Sequence, residues 1–226
     1  MSAANDTAAA GHHDGHHEQP WYLAHHFSNL HVQNHAVKLG MWLFLATEVL
    51  LFAGLFVGYA VYRWMYHDAF KLNSVLLDLR LGTINTIVLI TSSLSVALAY
   101  HYVKIDQIKR AAQLLVFTIL CAVAFLVIKY FEYAHKFHVG MLPGQWYSYE
   151  AITLPGSSTF YSVYFLTTGL HAFHVVVGMS VLGWVLWRVR KGKYNSVHNV
   201  PVELGALYWH LVDLVWIFLF PLLYLV

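Results

Sequence analysis

Residues 111–134 read AAQLLVFTILCAVAFLVIKYFEYA. The first 18 of these positions carry no charge, and about 20 helical residues cross the hydrocarbon core of a bilayer. Four similar segments lie at about 38–64, 81–103, 160–187 and 203–226, so the five run from 23 to 28 residues each. They are too long for buried strands, and helices are the open-ended elements that satisfy their own backbone in lipid. The pattern predicts an all-α fold, a polytopic membrane bundle of five transmembrane helices. Composition agrees. Of 226 residues, 59% are apolar and 11% charged, whereas a soluble domain carries about 25% charge. Ordinary soluble enzymes and disordered chains are excluded, and no basic stripe suggests nucleic acid. The single cysteine, Cys121, leaves no disulfide framework, no CxxC, no CxxCH for covalent haem and no cysteine pair for binuclear copper.

Residues 1–37 differ from the rest. They hold eight of the 16 histidines and no Lys or Arg. The run Gly11-His12-His13-Asp14-Gly15-His16-His17 is low complexity and reads as part of a flexible cytoplasmic N-terminal segment, with adventitious metal binding as the other reading. No signal peptide is visible. Lys38, Lys104, Lys109, Arg110, Arg188, Arg190, Lys191 and Lys193 fall on one side of the five spans, and Arg63, Lys71, Arg80 and Lys136 on the other. That bias predicts a cytoplasmic N-terminus and a periplasmic C-terminus. The 136–157 loop then faces outward, with turns at Pro143-Gly144 and Pro155-Gly156.

Ionisable groups inside the spans are functional candidates by default. Glu48 lies about 15 Å into the first span at 1.5 Å per residue, among apolar neighbours that offer no cation. It either controls protons or a polar ligand, or bonds to another helix. His171 and His174 share a face of the fourth span. Glu203, His210 and Asp213 fall on one broad face of the fifth. Glu132 lies one turn from Lys129, and the two can pair. Gly54 and Gly58 form a small-xxx-small pair that predicts close helix packing. His174 and His210 are candidate axial haem ligands, and His171, His174 and Met179 a candidate copper set, each weaker than hydrogen-bonded histidines in a bundle. Arg188 ends the fourth span, with Arg190, Lys191 and, farther on, His198. This group predicts an anionic lipid-headgroup site as well as a positive-inside anchor.

With these residues assembled, the chain resembles subunit III of the haem–copper respiratory oxidases over about residues 25–226. The first span carries Thr47-Glu48-Val49-Leu50-Leu51-Phe52, the second Asn85-Thr86 and Ser92-Ser93, and the third Phe131-Glu132-Tyr133. The fourth carries Thr168-Gly169-Leu170-His171-Ala172-Phe173-His174. The fifth carries Tyr208-Trp209-His210-Leu211-Val212-Asp213-Leu214-Val215-Trp216, the most specific string. Mitochondrial members have seven helices, and this chain resembles shorter bacterial members that lack the first two. Lys129 stands where the family has an uncharged residue, the 136–157 loop is longer than the family's, and the His-rich tail has no counterpart.

The resemblance implies an accessory subunit without a redox centre, in the inner membrane of a bacterium. Haem and copper would lie in partner subunits, with subunits I and II as neighbours and phospholipid bound in a V-shaped cleft. It implies support of proton uptake near Glu48 and protection of the oxidase during turnover, and it leaves room for a respiratory supercomplex. Glu132, His171, His174, Glu203, His210 and Asp213 would form an interhelical polar network, and Arg188 would meet lipid headgroups. Two other readings stay open: a haem-bearing quinone-oxidising membrane subunit, and the accessory subunit of a nitric oxide reductase. Cytochrome c and quinol both remain as electron donor.

Overall fold

The computed structural model describes residues 22–149, 152 and 154–225. The Gly11–His17 stretch lies outside them. The helices are α1 (Leu30–Met65), α2 (His67–Val75), α3 (Leu79–Lys104), α4 (Ile108–Val139), α5 (Ser157–Arg190) and α6 (Val200–Tyr224). All but α2 are long and apolar enough to cross a membrane, and the chain is a multi-pass membrane protein. Each of these five helices starts before its apolar segment, because hydropathy marks where lipid begins rather than where hydrogen bonding begins. The short α2 lies in what reads as a connector. It buries Ala69, Phe70, Asn73 and Ser74 on one face, a stripe too brief to register as a period.

The chain divides into two compact units, residues 1–39 and 40–226. In the first, the Gln33 side chain accepts from the Ala24 amide at 2.8 Å and donates to the Tyr22 carbonyl at 2.8 Å, so the turns at 22–29 fold onto the start of α1. In the second, α3, α4, α5 and α6 close a four-helix ring in which each helix packs on two neighbours. Phe125, Trp209, Trp216, Leu115 and Leu182 are fully buried at its centre. Local chemistry sets the helix ends. Asp78 caps α3 by accepting from the Arg80 and Leu81 amides. Gly140 ends α4 at φ +84°, a left-handed position that glycine adopts without a Cβ penalty.

Residues 40–65 of α1 stand apart from this ring. None of their Cα atoms comes within 8 Å of a Cα in α3, α4, α5 or α6. Long side chains make the connection: Phe44 on Tyr208, Phe52 on His174 and Phe56 on Phe218. Tyr59 adds a hydrogen bond from its hydroxyl to the Leu222 carbonyl. This corrects the expectation for Gly54 and Gly58. A Cβ at either would meet nothing within 4 Å, because the aromatic spacers hold the helix at a distance. Close glycine approaches between helices are instead at Gly82, where a Cβ would lie 2.8 Å from Phe220 Cε2, and at Gly178, where it would lie 2.9 Å from Trp209 Cε3.

The α4–α5–α6 junction is held by a buried polar knot. Glu132 Oε1 accepts from the hydroxyls of Tyr164 (2.9 Å, α5) and Tyr224 (2.6 Å, α6). Its Oε2 accepts from Lys129 Nζ at 2.9 Å. Lys129 also donates to the Tyr224 hydroxyl at 2.7 Å and lies 4.7 Å from the Trp216 ring centre. Lys136 stands 4.0 Å from Glu132 Oε1. Removing one member of a buried pair strands the other charge. Glu132→Ala is therefore expected to destabilise the chain by about 3–5 kcal/mol. The double change Lys129→Met with Glu132→Gln should cost less than that single one, both read by thermal unfolding in detergent. By the same measurement Gly178→Val should cost about 1–3 kcal/mol, through overpacking against Trp209.

Candidate functional site

The site at mid-membrane is built from α1 and α5. Glu48 Oε2 lies 2.9 Å from His174 Nε2, and the two side chains are 16% and 10% exposed, so both are largely withdrawn from the surroundings. His174 Nδ1 is 2.8 Å from the Leu170 carbonyl. A carbonyl only accepts, so Nδ1 carries a proton. One further proton then lies between Nε2 and Oε2, whichever atom holds it. The pair is neutral overall either as acid and imidazole or as carboxylate and imidazolium. This explains how a carboxyl can stand at mid-span without a lysine or arginine. Phe52 packs edge-on against the imidazole at 5.2 Å, and the Tyr208 hydroxyl donates to the His174 carbonyl at 3.4 Å.

The remaining in-span candidates do not form one network. Glu132 belongs to the knot described above. Glu203 and His210 lie on the α3–α6 seam, where Tyr100 donates to Glu203 at 2.9 Å and Ser93 Oγ sits 2.7 Å from His210 Nδ1. Trp209 donates to Ser92 and Trp216 to Thr86 along the same seam. His171 corrects the expectation of a polar link. It is fully buried, neither ring nitrogen has a hydrogen-bond partner, and its ring packs between Phe125 (5.5 Å) and Trp216 (5.2 Å). The aromatic cage leaves no acceptor within reach, so His171 acts as a core ring. Asp213, 3% exposed, also lacks a hydrogen-bond partner at either oxygen. His174 and His210, weighed as a haem-ligand pair, are each held by a different helix, α1 and α3 respectively. Among the described residues, His171, His174 and Met179 do not belong to any cluster of three or more His, Cys, Asp or Glu side chains suited to a metal.

The basic end of the bundle is a separate site. Arg188 stacks over Trp184 with its guanidinium carbon 5.1 Å from the ring centre, and lies 5.9 Å from that of Trp187. Its Nε is buried without a hydrogen bond. Lys191 Nζ lies 3.9 Å from the Trp187 ring centre. Arg190 is exposed on the last turn of α5. His198 sits in the following turn, which Asn195 shapes by accepting from the Val197 and His198 amides. Burial and the neighbouring Arg188 hold the His198 imidazole below its ordinary value, so at neutral pH it offers hydrogen bonding rather than charge. This turn is pinned to the α3–α4 connection by the Ser196 amide, which donates to Asp106 Oδ1 at 2.8 Å. The Ser196 side chain first, and its amide second, hold the Asp106 carboxyl below its usual range.

Several functional partners are neutral in sequence and give no charge signal: Tyr164, Tyr224 and Tyr100, with Ser93 marked only by the Ser92-Ser93 motif of the resemblance. The signal available was a hydroxyl in the middle of an apolar span, which needs a partner in lipid as a charge does.

The whole arrangement has relatives. The family model described as cytochrome c oxidase subunit III matches residues 16–226. The cytochrome c oxidase subunit 3 of Thermostichus vulcanus is 31% identical over 189 residues, covering 83% of this chain and 86% of that protein. The protein of the same name from Loxodonta africana is 31% identical over 205 residues, covering 85% and 70%. A haem-copper oxidase subunit I+III from Aeropyrum pernix is 30% identical over 196 residues, covering 84% of this chain and 23% of that longer protein. The match takes in all five membrane helices, the Glu48–His174 pair and the basic end, and the chain belongs to the cytochrome c oxidase subunit III family.

Proposed function

We propose that this chain is a lipid-binding accessory subunit of a proton-pumping terminal oxidase in a bacterial inner membrane. In this reading it holds no redox centre, and haem and copper reside in the partner subunits I and II. The observation that carries the reading is the Glu48–His174 pair: a carboxyl and an imidazole 2.9 Å apart, halfway along two membrane helices, joining a stand-off helix to the bundle. Such a unit shapes the proton environment of a neighbour without performing redox chemistry itself. The joined name of the Aeropyrum pernix relative supports direct packing against subunit I. The N-terminus is cytoplasmic in this reading and the basic end faces the same side.

Lipid binding draws on two features. A wholly apolar groove of about 220 Å3 runs between α1 and α6, lined by Phe52, Phe56, Val215 and Phe218 among others, and suits acyl chains. The Arg188, Arg190 and Lys191 cations, with the Trp184 and Trp187 rings, suit anionic headgroups at the interface. Among the described residues no acidic side chain forms an ion pair with Arg188, which leaves its charge for a ligand.

Glu48→Ala strands His174 Nε2 and should cost about 1–3 kcal/mol of stability. Glu48→Gln donates to the same nitrogen and should keep the fold while removing the mobile proton. Both variants, made in the whole complex, are expected to lower proton pumping and shorten the turnover lifetime. Unchanged pumping, lifetime and lipid content in both would refute a role for Glu48. The basic end gives a pH test. His198 is held below its ordinary value in the free chain, and a bound anion favours its protonated form. Anionic phospholipid should therefore bind more tightly as pH falls from about 7 toward 5, measured by lipid exchange on the complex, and His198→Ala should flatten that dependence.

A further inference from the structure

Helix α1 begins at Leu30, ahead of the apolar segment that starts at about residue 38. Those opening turns carry His31 and His35, both exposed. Residues four apart on a helix stand one above the other. Here the two imidazoles meet, with ring centres 4.4 Å apart and planes inclined at 51°. The neighbouring histidines contrast with them. The rings of His25 and His26 are 5.3 Å apart and almost perpendicular, at 87°, and His26 leans on Phe27 at 4.4 Å. The backbone beneath the His31–His35 pair is held in place. The Asn29 side chain caps the helix by accepting from the Val32 amide at 2.9 Å. Gln33, on the opposite face of the helix, ties down Tyr22 and Ala24. Residues 22–39 contain no Asp or Glu and a single Lys, Lys38, so no carboxylate of this segment engages the two rings.

A neutral imidazole offers one nitrogen with a free lone pair. Two such rings on one helix face need only turn about their side-chain bonds to aim those nitrogens at a common point. A transition metal takes imidazole nitrogen at about 2.0–2.1 Å, which sets two ligating nitrogens about 3–3.5 Å apart. Rings already in contact reach that separation without a change in the backbone. We propose that His31 and His35 chelate a divalent transition-metal ion, Cu2+ most tightly among the first-row series. Among the described residues no third His, Cys, Asp or Glu completes a cluster with them, so the described protein supplies two nitrogens and water takes other positions. The ion staples the opening of α1, because it is held by both rings only while residues 31–35 are helical, and binding to the folded form alone stabilises that form. The site needs neither oxidase partners nor bound lipid.

The test uses the full chain in mild detergent, purified without a histidine tag and stripped with a chelator. His12, His13, His16 and His17 are changed to Ala to remove the upstream histidines. Titration with Cu2+ is then expected to fill one tight site, and pulsed electron paramagnetic resonance to report two coupled imidazole nitrogens. In the same background His31→Ala or His35→Ala should weaken binding about a hundredfold, since one ring alone loses the chelate, and should leave one coupled imidazole. Both positions are exposed, so these changes leave the buried core alone. His35→Ala combined with Ala36→His keeps the number of histidines but places the second about 140° around the helix from His31, and should not restore affinity. Hydrogen exchange over 31–39 should slow on adding Cu2+ to the chain with both rings and not to either single variant. Unchanged affinity in His35→Ala, or recovery with Ala36→His, would mark an adventitious ion only and overturn the proposal. Loss of the tight site once the upstream histidines are removed would overturn it as well.

Discussion

Inside a bilayer a polar group has only the protein to bond with, and the helices, the polar knot and the Glu48–His174 pair of this chain answer that constraint. Backbone groups meet it by forming helices. Serine and threonine hydroxyls meet it locally: those of Thr83, Thr86, Thr91 and Ser180 donate to carbonyls four residues back. The charged groups meet it only in part within one helix, as Lys129 and Glu132 do, and so they bias which helices touch. Glu132 draws α5 and α6 onto α4, and Glu48 draws α1 toward α5. The polar groups, few as they are, specify the tertiary arrangement, because lipid tails give apolar helices little reason to prefer one neighbour over another.

The two carboxyls solve the same problem differently. Glu132 is surrounded by donors and lies among two lysines and three tyrosines. Its surroundings fix it as an acceptor. Glu48 has a single partner that can take or give a proton. The first arrangement suits a structural joint, since nothing in it gains by rearranging. The second keeps the same bond whichever of its two atoms holds the proton.

Much of this was legible in residues alone. Five apolar segments gave the spans, and Glu48, Glu132 and Lys129 stood out because charges are rare there. What stayed hidden was pairing across helices. Nothing local to Glu48 points to His174, 126 positions away, and nothing local to His171 distinguishes a caged ring from a bonded one. Gly54 and Gly58 show the converse. Their spacing permits close approach, but Phe44, Phe52 and Phe56 on the same helix prevent it, and a motif read by itself omits the bulk of its neighbours. The short α2 escaped because a single buried stripe of four residues is no longer than chance.

The polar knot also orders biogenesis. Lys129 and Glu132 enter the membrane together as an adjacent, self-neutralising pair one helical turn apart, which lets α4 insert before its partners exist. Tyr164 follows with α5, but the hydroxyl of Tyr224 that closes the knot comes 92 residues after Glu132. Until α6 arrives, one donor to Glu132 and one acceptor for Lys129 are missing. The bundle therefore locks late in synthesis, and its last membrane helix serves as the clasp for two that were laid down before it.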